Sequence, residues 1–259
     1  MKNSEKIEET LEHALRSKLA NYKPETSHMP FHTRLLGRDR MALFSFIHSL
    51  NTGFGTQIFE KIAEDIVKTS QSFDEIDTQH KINNILSSES QIAITNIMND
   101  LTSTERPPSH EKELKEIRKV CQSGEPNKKR LRKADIFLTN NGNEFFLIDL
   151  KTAKPNMDGF EKYKQNMLEQ AAAILYETPK ATVHTMIAIP YNPYHPKPYK
   201  RWTLQGMLDM DRQLKVAEEF WNFLAGGEDI YQDLLDCFER VGNRMREEID
   251  DYFDQLADN

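Results

Sequence analysis

Apolar residues recur at four-residue spacing at Ile7, Leu11, Leu15 and Leu19, which places them on one stripe and predicts an amphipathic helix over residues 3–21. Prolines and the basic turn "TRLLGRDR" break the period over residues 22–38. Met41–Leu50 is mostly apolar and predicts a buried helix. "NTGFG" interrupts it, and another helix begins near Thr56 and runs through "QIFEKIAEDIVKTS". Residues 78–101 predict a further helix, "TSTERPPSH" a loop, and residues 111–121 a short charged helix.

The period then shortens to that of strands. "ADIFLT" and "EFFLIDLK" flank "NNGN", a hairpin signal because Asn and Gly tolerate the positive φ that tight turns demand. Residues 158–177 predict a helix with a mostly apolar face, and "TVHTMIAI" a buried strand. The intervening helix makes that strand parallel to the one before it. "PYNPYHPKPYKRW" is too rich in proline for anything but an extended loop. From Gly206 onward the pattern is helical, broken at "AGGED". This order predicts an α/β fold, a mixed central sheet flanked by helices with helical additions at both ends. A single domain over residues 1–259 is expected, with an N-terminal helical extension over 1–38, a core over 39–205 and an acidic helical part over 206–259.

Composition narrows the setting. The longest apolar runs fall far short of the roughly 20 residues a membrane helix needs, and the N-terminus lacks the apolar segment of a signal peptide. Cys121 and Cys237 form no metal-spacing pair and no disulfide framework, so a reducing cytoplasm is the expected location. Net charge is −7, but Trp202–Asn259 carries 15 acidic and 5 basic residues, which leaves the first 201 residues at +3. Lys112–Lys133 holds nine Lys or Arg against three Glu, and no acid occurs from Thr178 to Arg201. Phosphate contacts depend on local surface charge, so these patches suit a nucleic acid; solvated loops are the plain alternative.

One strand carries an oddity. In "FFLIDLK", Asp149 and Lys151 interrupt an apolar run two residues apart and therefore point to one side of the strand. A three-residue hairpin loop, or a two-residue loop with a bulge, sets Asp135 almost opposite Asp149. Two adjacent carboxylates repel without a cation between them, and Mg²⁺ favours such oxygen ligands, with the Leu150 carbonyl as a further one. Lys151 is suited to orienting water or to stabilising charge on a phosphoryl group. The constellation fits metal-dependent cleavage of a phosphodiester.

"ADIFL…FLIDLKTAK" resembles the PD-(D/E)xK motif of type II restriction endonucleases, with Ala134 in place of the motif's proline. "NTGFGTQIFEKIA" (51–63) and "AEEFWNFLAGGEDIY" (217–231) resemble the TdeIII-type branch, whose members cut GC-rich sites such as GGNCC. The resemblance implies a restriction-endonuclease-like core. It assigns catalytic roles to Asp135, Asp149 and Lys151, with the metal held by the two aspartates and the Leu150 carbonyl. A glutamate on the helix before the sheet would join them, Glu60 or, one turn on, Glu64. It further implies Mg²⁺-dependent hydrolysis of double-stranded DNA to 5′-phosphates, a homodimer matching a palindromic site, and a cognate DNA methyltransferase as genetic partner. For DNA contact, Lys197, Lys200 and Arg201 are the first candidates, with Tyr199 and His195 on the same loop and Arg130 and Arg132 as a second group. The "TGFG" stretch is either a close approach to phosphate or a simple turn. Two other readings compete: a structure-specific repair or recombination nuclease of the same fold, and a DNA-binding protein with a decayed nuclease core.

Overall fold

Ile7 and Leu11 are buried, so the N-terminal four-residue period folds as α1 (Ser4–Asn21). The computed structural model describes residues 4–22, 29–53, 58–151, 159–200 and 206–257. These form two compact units, residues 1–69 with 229–259, and residues 70–228. This division groups residues 39–69 with the terminal helices and residues 206–228 with the sheet.

In the first unit α1 is followed by α2 (Pro30–Leu36), α3 (Arg38–Gly53) and α4 (Phe59–Ser70). The expectation of a buried helix over Met41–Leu50 needs correction. Met41, Ala42 and Phe46 are buried, whereas Leu43, Phe44 and Ile47 are 45%, 57% and 47% exposed. Apolar content signals a helix here, but among the described residues only one face of α3 is buried.

The second unit contains β1 (Glu75–His80), β2 (Ile85–Ser87), α5 (Ser88–Thr102), α6 (His110–Val120) and β3 (Pro126–Lys128). It continues with β4 (Ala134–Asn140), β5 (Glu144–Leu150), α7 (Phe160–Glu177), β6 (Thr182–Ile189), α8 (Met210–Gln213), β7 (Leu214–Val216) and α9 (Glu218–Leu224). The expected helix over 78–101 is really two short strands and then α5. The sequence "EIDTQH" of β1 has one large apolar residue, so backbone pairing with β4, not a side-chain period, makes it a strand. β7 likewise lies where only helix was expected, and it forms by pairing with the end of β6.

The sheet order is β1-β4-β5-β6-β7, with β1, β4 and β5 antiparallel and β6 and β7 parallel to β5. Asn140 pairs with Glu144, leaving a three-residue hairpin loop in which Asn141 and Gly142 take φ of 52° and 63°. Ile136 pairs with Ile148, and both are fully buried. One step further along this register stand Asp135 and Asp149. The face bearing Phe137, Leu147 and Val183 packs with α5, α6 and α7 in the main core. Trp221 and Phe220 of α9 are buried, and the Trp221 indole N–H donates to the Pro190 carbonyl at 2.8 Å.

A buried polar network ties α6, α7, α8 and β6 together. Lys164 Nζ donates to Glu113 Oε2 at 2.6 Å and to Gln213 Oε1 at 2.7 Å. The Gln213 amide nitrogen lies 3.2 Å from His110 Nδ1, and His110 Nε2 lies 3.2 Å from the Val183 carbonyl. A carbonyl only accepts, so Nε2 carries the proton and Nδ1 accepts from Gln213.

In the first unit the chain ends in α10 (Tyr231–Arg244) and α11 (Arg246–Ala257). Leu234, Cys237 and Val241 of α10 are buried. Arg240 and Arg244 of α10 reach Glu8 of α1 at 2.7 Å, and Arg244 also reaches Glu12 at 2.6 Å. Phe46 of α3 packs edge-on to Tyr22 and Phe253, with ring centroids 5.3 and 5.2 Å away.

The His110 ring titrates in a defined direction. Burial, with the Lys164 and His184 charges nearby, pushes it down to about 4, while the Val183 hydrogen bond and Asp209 act the other way. The unfolded chain takes up this proton near the ordinary histidine value of about 6.5 and the folded chain does not. The contribution is therefore complete above pH 6.5 and is lost as pH falls towards 4, a change of about 3 kcal/mol. Urea unfolding of His110→Gln at pH 7, 5.5 and 4 should show a correspondingly shallower acid loss than the parent chain.

Candidate active site

The hairpin register delivers what the Asp-x-Lys spacing promised. Asp135 at the start of β4 and Asp149 near the end of β5 stand side by side on one face. The Leu150 N–H donates to Asp135 Oδ2 at 2.8 Å, and the Gln79 side-chain amide donates to Asp135 Oδ1 at 3.1 Å. Lys151 Nζ donates to Asp149 Oδ1 and, at 3.1 Å, to the Leu150 carbonyl. The ammonium also sits 4.9 Å from the ring centroid of Tyr163, near the start of α7. The Lys151 N–H donates to the Ala188 carbonyl of β6 at 2.9 Å, which fixes the backbone just past the strand. Asp149 and Lys151 are 15% and 16% exposed at their side chains, enough for access but not full solvation.

Burial, and then the adjacent Asp149 carboxylate, push the Asp135 carboxyl up to about 7, against the pull of Lys151 and the Leu150 N–H. A carboxyl raised in this way marks a place where negative charge is under-compensated. The oxygens available, two carboxylates and the Leu150 carbonyl, are the hard donors that Mg²⁺ or a similar cation takes. Among the described residues no three His, Cys, Asp or Glu side chains converge on one point. The donor set thus fits an ion that completes its coordination with water and phosphate oxygens.

The other candidates are distributed as follows. Glu60 of α4 is only 3% exposed, which removes the alternative of a solvent-facing helix residue. Glu64 is engaged with Lys68 one turn on. Both glutamates belong to the first unit. Arg130 and Arg132 line a cavity of about 660 Å³ together with Lys81, Asn84 and Lys133. His195, Lys197 and Lys200 are exposed on the loop after β6, while Tyr199 packs against the apolar cluster around Phe160 and Met167. Arg201 lies outside the described residues, as do residues 54–57 of the glycine-rich stretch. Sequence reasoning missed Gln79 and Tyr163 at the site and Lys81 at the cavity, whereas Lys133 closes the basic stretch already noted. Gln79 and Lys81 were lost because the weak alternation of "EIDTQH" was overrun by the apolar period that follows it.

A family model described as type II restriction endonuclease, HinfI, matches residues 1–242. The chain belongs to this family. The matched stretch contains Glu60, Asp135, Asp149 and Lys151. Among similar proteins, the type II restriction enzyme MjaII of Methanocaldococcus jannaschii is 29% identical over 212 residues, which cover 78% of this chain and 55% of that protein. The chain thus spans about half the length of that relative. Membership of the HinfI family gives the Asp135–Asp149–Lys151 cluster a chemical context, since restriction endonucleases of this kind generally use a divalent metal.

The like-charge pair has a stability signature. Asp135→Asn removes one member and keeps an oxygen for the Leu150 N–H. In EDTA its thermal transition should therefore rise by a few degrees over the parent chain, on the order of 1 kcal/mol. Addition of Mn²⁺ should raise the midpoint of the parent and leave that of Asp135→Asn nearly unmoved, as read by scanning calorimetry.

Proposed function

We propose that this chain is a type II site-specific deoxyribonuclease. It hydrolyses both strands of duplex DNA at a short GC-rich palindromic or interrupted-palindromic site and leaves 5′-phosphates. The observation that carries this reading is the convergence of Asp135, Asp149 and Lys151 at one end of the sheet in a chain of the HinfI family. Asp135, Asp149 and the Leu150 carbonyl would hold Mg²⁺. When bound, that ion supplies Lewis-acid polarisation of the scissile phosphate and a more acidic water. Lys151, braced by Asp149, the Leu150 carbonyl and the Tyr163 ring, keeps a positive charge beside the position of the scissile phosphate and orients the attacking water.

Lys81, Arg130, Arg132 and Lys133 support a path for the DNA backbone, because they line one cavity and the last two immediately precede Ala134 and Asp135. Base contact falls to the loop after β6, with Lys197, Lys200 and Arg201 reading guanine edges and His195 and Tyr199 touching phosphates. A GGNCC-like site follows from the resemblance of residues 51–63 and 217–231 to the TdeIII-type branch. Cleavage of duplex DNA at a short site endangers the host genome, so a methyltransferase of matching specificity and a cytoplasmic location complete the reading. No described helix is long and apolar enough to cross a membrane.

A single Asp–Asp–Lys site per chain cuts one strand at a time, so a palindromic site calls for two chains related by a two-fold axis. Within the first unit, Phe31 and Leu35 of α2 are 85% and 82% exposed, next to the outward face of α3. This apolar surface on the N-terminal helical addition is the proposed dimer contact. Sedimentation at micromolar concentration should give a dimer for the parent and a monomer for Phe31→Lys with Leu35→Lys; a parent that stays monomeric with and without DNA refutes the dimer.

The cleavage reading is tested by digesting unmethylated phage DNA with Mg²⁺ beside EDTA and Asp149→Ala controls. Discrete fragments are expected, falling at least about 10³-fold in Asp149→Ala, in line with the loss of a principal electrostatic group. A smear would indicate a structure-specific nuclease, and tight DNA binding without cutting would indicate a decayed one.

A further inference from the structure

We propose that Gln79 is a positioning residue for Asp135, and that the left-handed backbone at Gln79 is a strain retained for this task. The inference rests on the metal-dependent nuclease reading above.

The register of β1 against β4 is regular on both sides, with Thr78 opposite Ile136 and His80 opposite Ala134. Gln79 stands across from Asp135, yet it drops out of the ladder, with φ of 54°. The other non-glycine residues of positive φ among those described, Gln71, Thr104, Asn141 and Ala217, lie in turns or at helix ends. Gln79 alone among them lies within a strand. A long side chain in this region is strained, and such strain persists only where the surroundings enforce it. Here the His80 ring stacks on Phe137 with centroids 4.0 Å apart, and His80 Nδ1 lies 2.7 Å from Asp77 Oδ2. Both hold the strand in place on either side of the distorted residue.

The distortion has a geometric product. The Gln79 amide donates to Oδ1 of Asp135 while the Leu150 N–H donates to Oδ2. One neutral donor on each oxygen fixes the carboxylate plane. The chemistry of the donor matters as much as its place. A neutral amide orients Asp135 without cancelling its charge, whereas Lys or Arg at this position would compete with a divalent ion. The carboxylate is thereby aligned and still under-compensated, a state that favours cation binding. Partners that orient a ligand in this manner are typically worth 10- to 100-fold in metal affinity.

Two full-length variants separate the amide from the strain. Gln79→Gly removes both, because glycine adopts positive φ at no steric cost. Gln79→Met keeps the size and the strain and deletes the donor. With Mn²⁺ as probe, titration calorimetry should show affinity falling about 10- to 100-fold in both variants. The melting point in EDTA should rise in Gln79→Gly and not in Gln79→Met. In cleavage, the Mg²⁺ concentration for half-maximal rate should increase by a similar factor, with most of the rate recovered at saturating Mg²⁺. Mn²⁺ affinities within two-fold of the parent in both variants would overturn the assignment while leaving the nuclease reading intact. A parent chain that binds no Mn²⁺ would overturn both.

Discussion

Two carboxylates pressed together at a half-buried strand end are the constraint around which the second unit is organised. Left to themselves, Asp135 and Asp149 would separate or take up a proton, and burial together with the Asp149 charge pushes Asp135 up to about 7. The hairpin denies them the first escape. Ile136 and Ile148 are fully buried and paired one step away, and each contributes about 1.5–3 kcal/mol of burial that parting the strands would forfeit. The repulsion between the two carboxylates is therefore contained by the apolar positions that adjoin it. The sheet acts as a clamp, and the negative potential it confines is what recruits a cation.

Topology then collects positive charge at the same end. β4 and β5 are antiparallel, so the start of β4, with Arg132 and Lys133 just before it, adjoins the end of β5. β5 and β6 are parallel, with Leu150 paired to Ala188, so the loop bearing His195, Lys197 and Lys200 leaves the sheet beside Asp149. α7 closes the arrangement from above. Tyr163 touches Lys151, while its neighbour Lys164 is tied down by Glu113 and Gln213 in the buried network. A buried ion pair contributes little net stability, but its break is costly, so it locks the first turns of α7 in one position. The aromatic ring that limits the motion of Lys151 is thus fixed by the residue next to it.

What could be read from the chain follows from which force writes it. The hairpin, α7 and β6 were legible because their burial imposes period and composition, and "NNGN" states its turn chemistry outright. From that register alone Asp135, Asp149 and Lys151 fell together. β1 and β7 were not legible, since strands of six and three residues held by backbone hydrogen bonds leave no side-chain period to detect. The half-exposed face of α3 was unreadable for another reason. Apolar content says that a surface avoids water, not whether the partner lies in the same chain. Gln79 was invisible for want of any local cue, as its role depends on a register partner 56 residues away.

That last failure points to a general feature of where this fold keeps its adjustable chemistry. Among the described residues β1 is the end strand of the sheet order, with a ladder partner on one side. A residue driven to positive φ there disturbs one ladder, whereas the same distortion in β4 or β5 would break two and open the core around Ile136 and Ile148. An edge strand also has to stay polar, which discourages pairing with foreign strands and frees its side chains from packing duty. The low hydrophobicity that hid β1 is therefore the property that lets it carry an orienting amide. Core strands hold the carboxylates against their repulsion, and the margin of the sheet sets their angle.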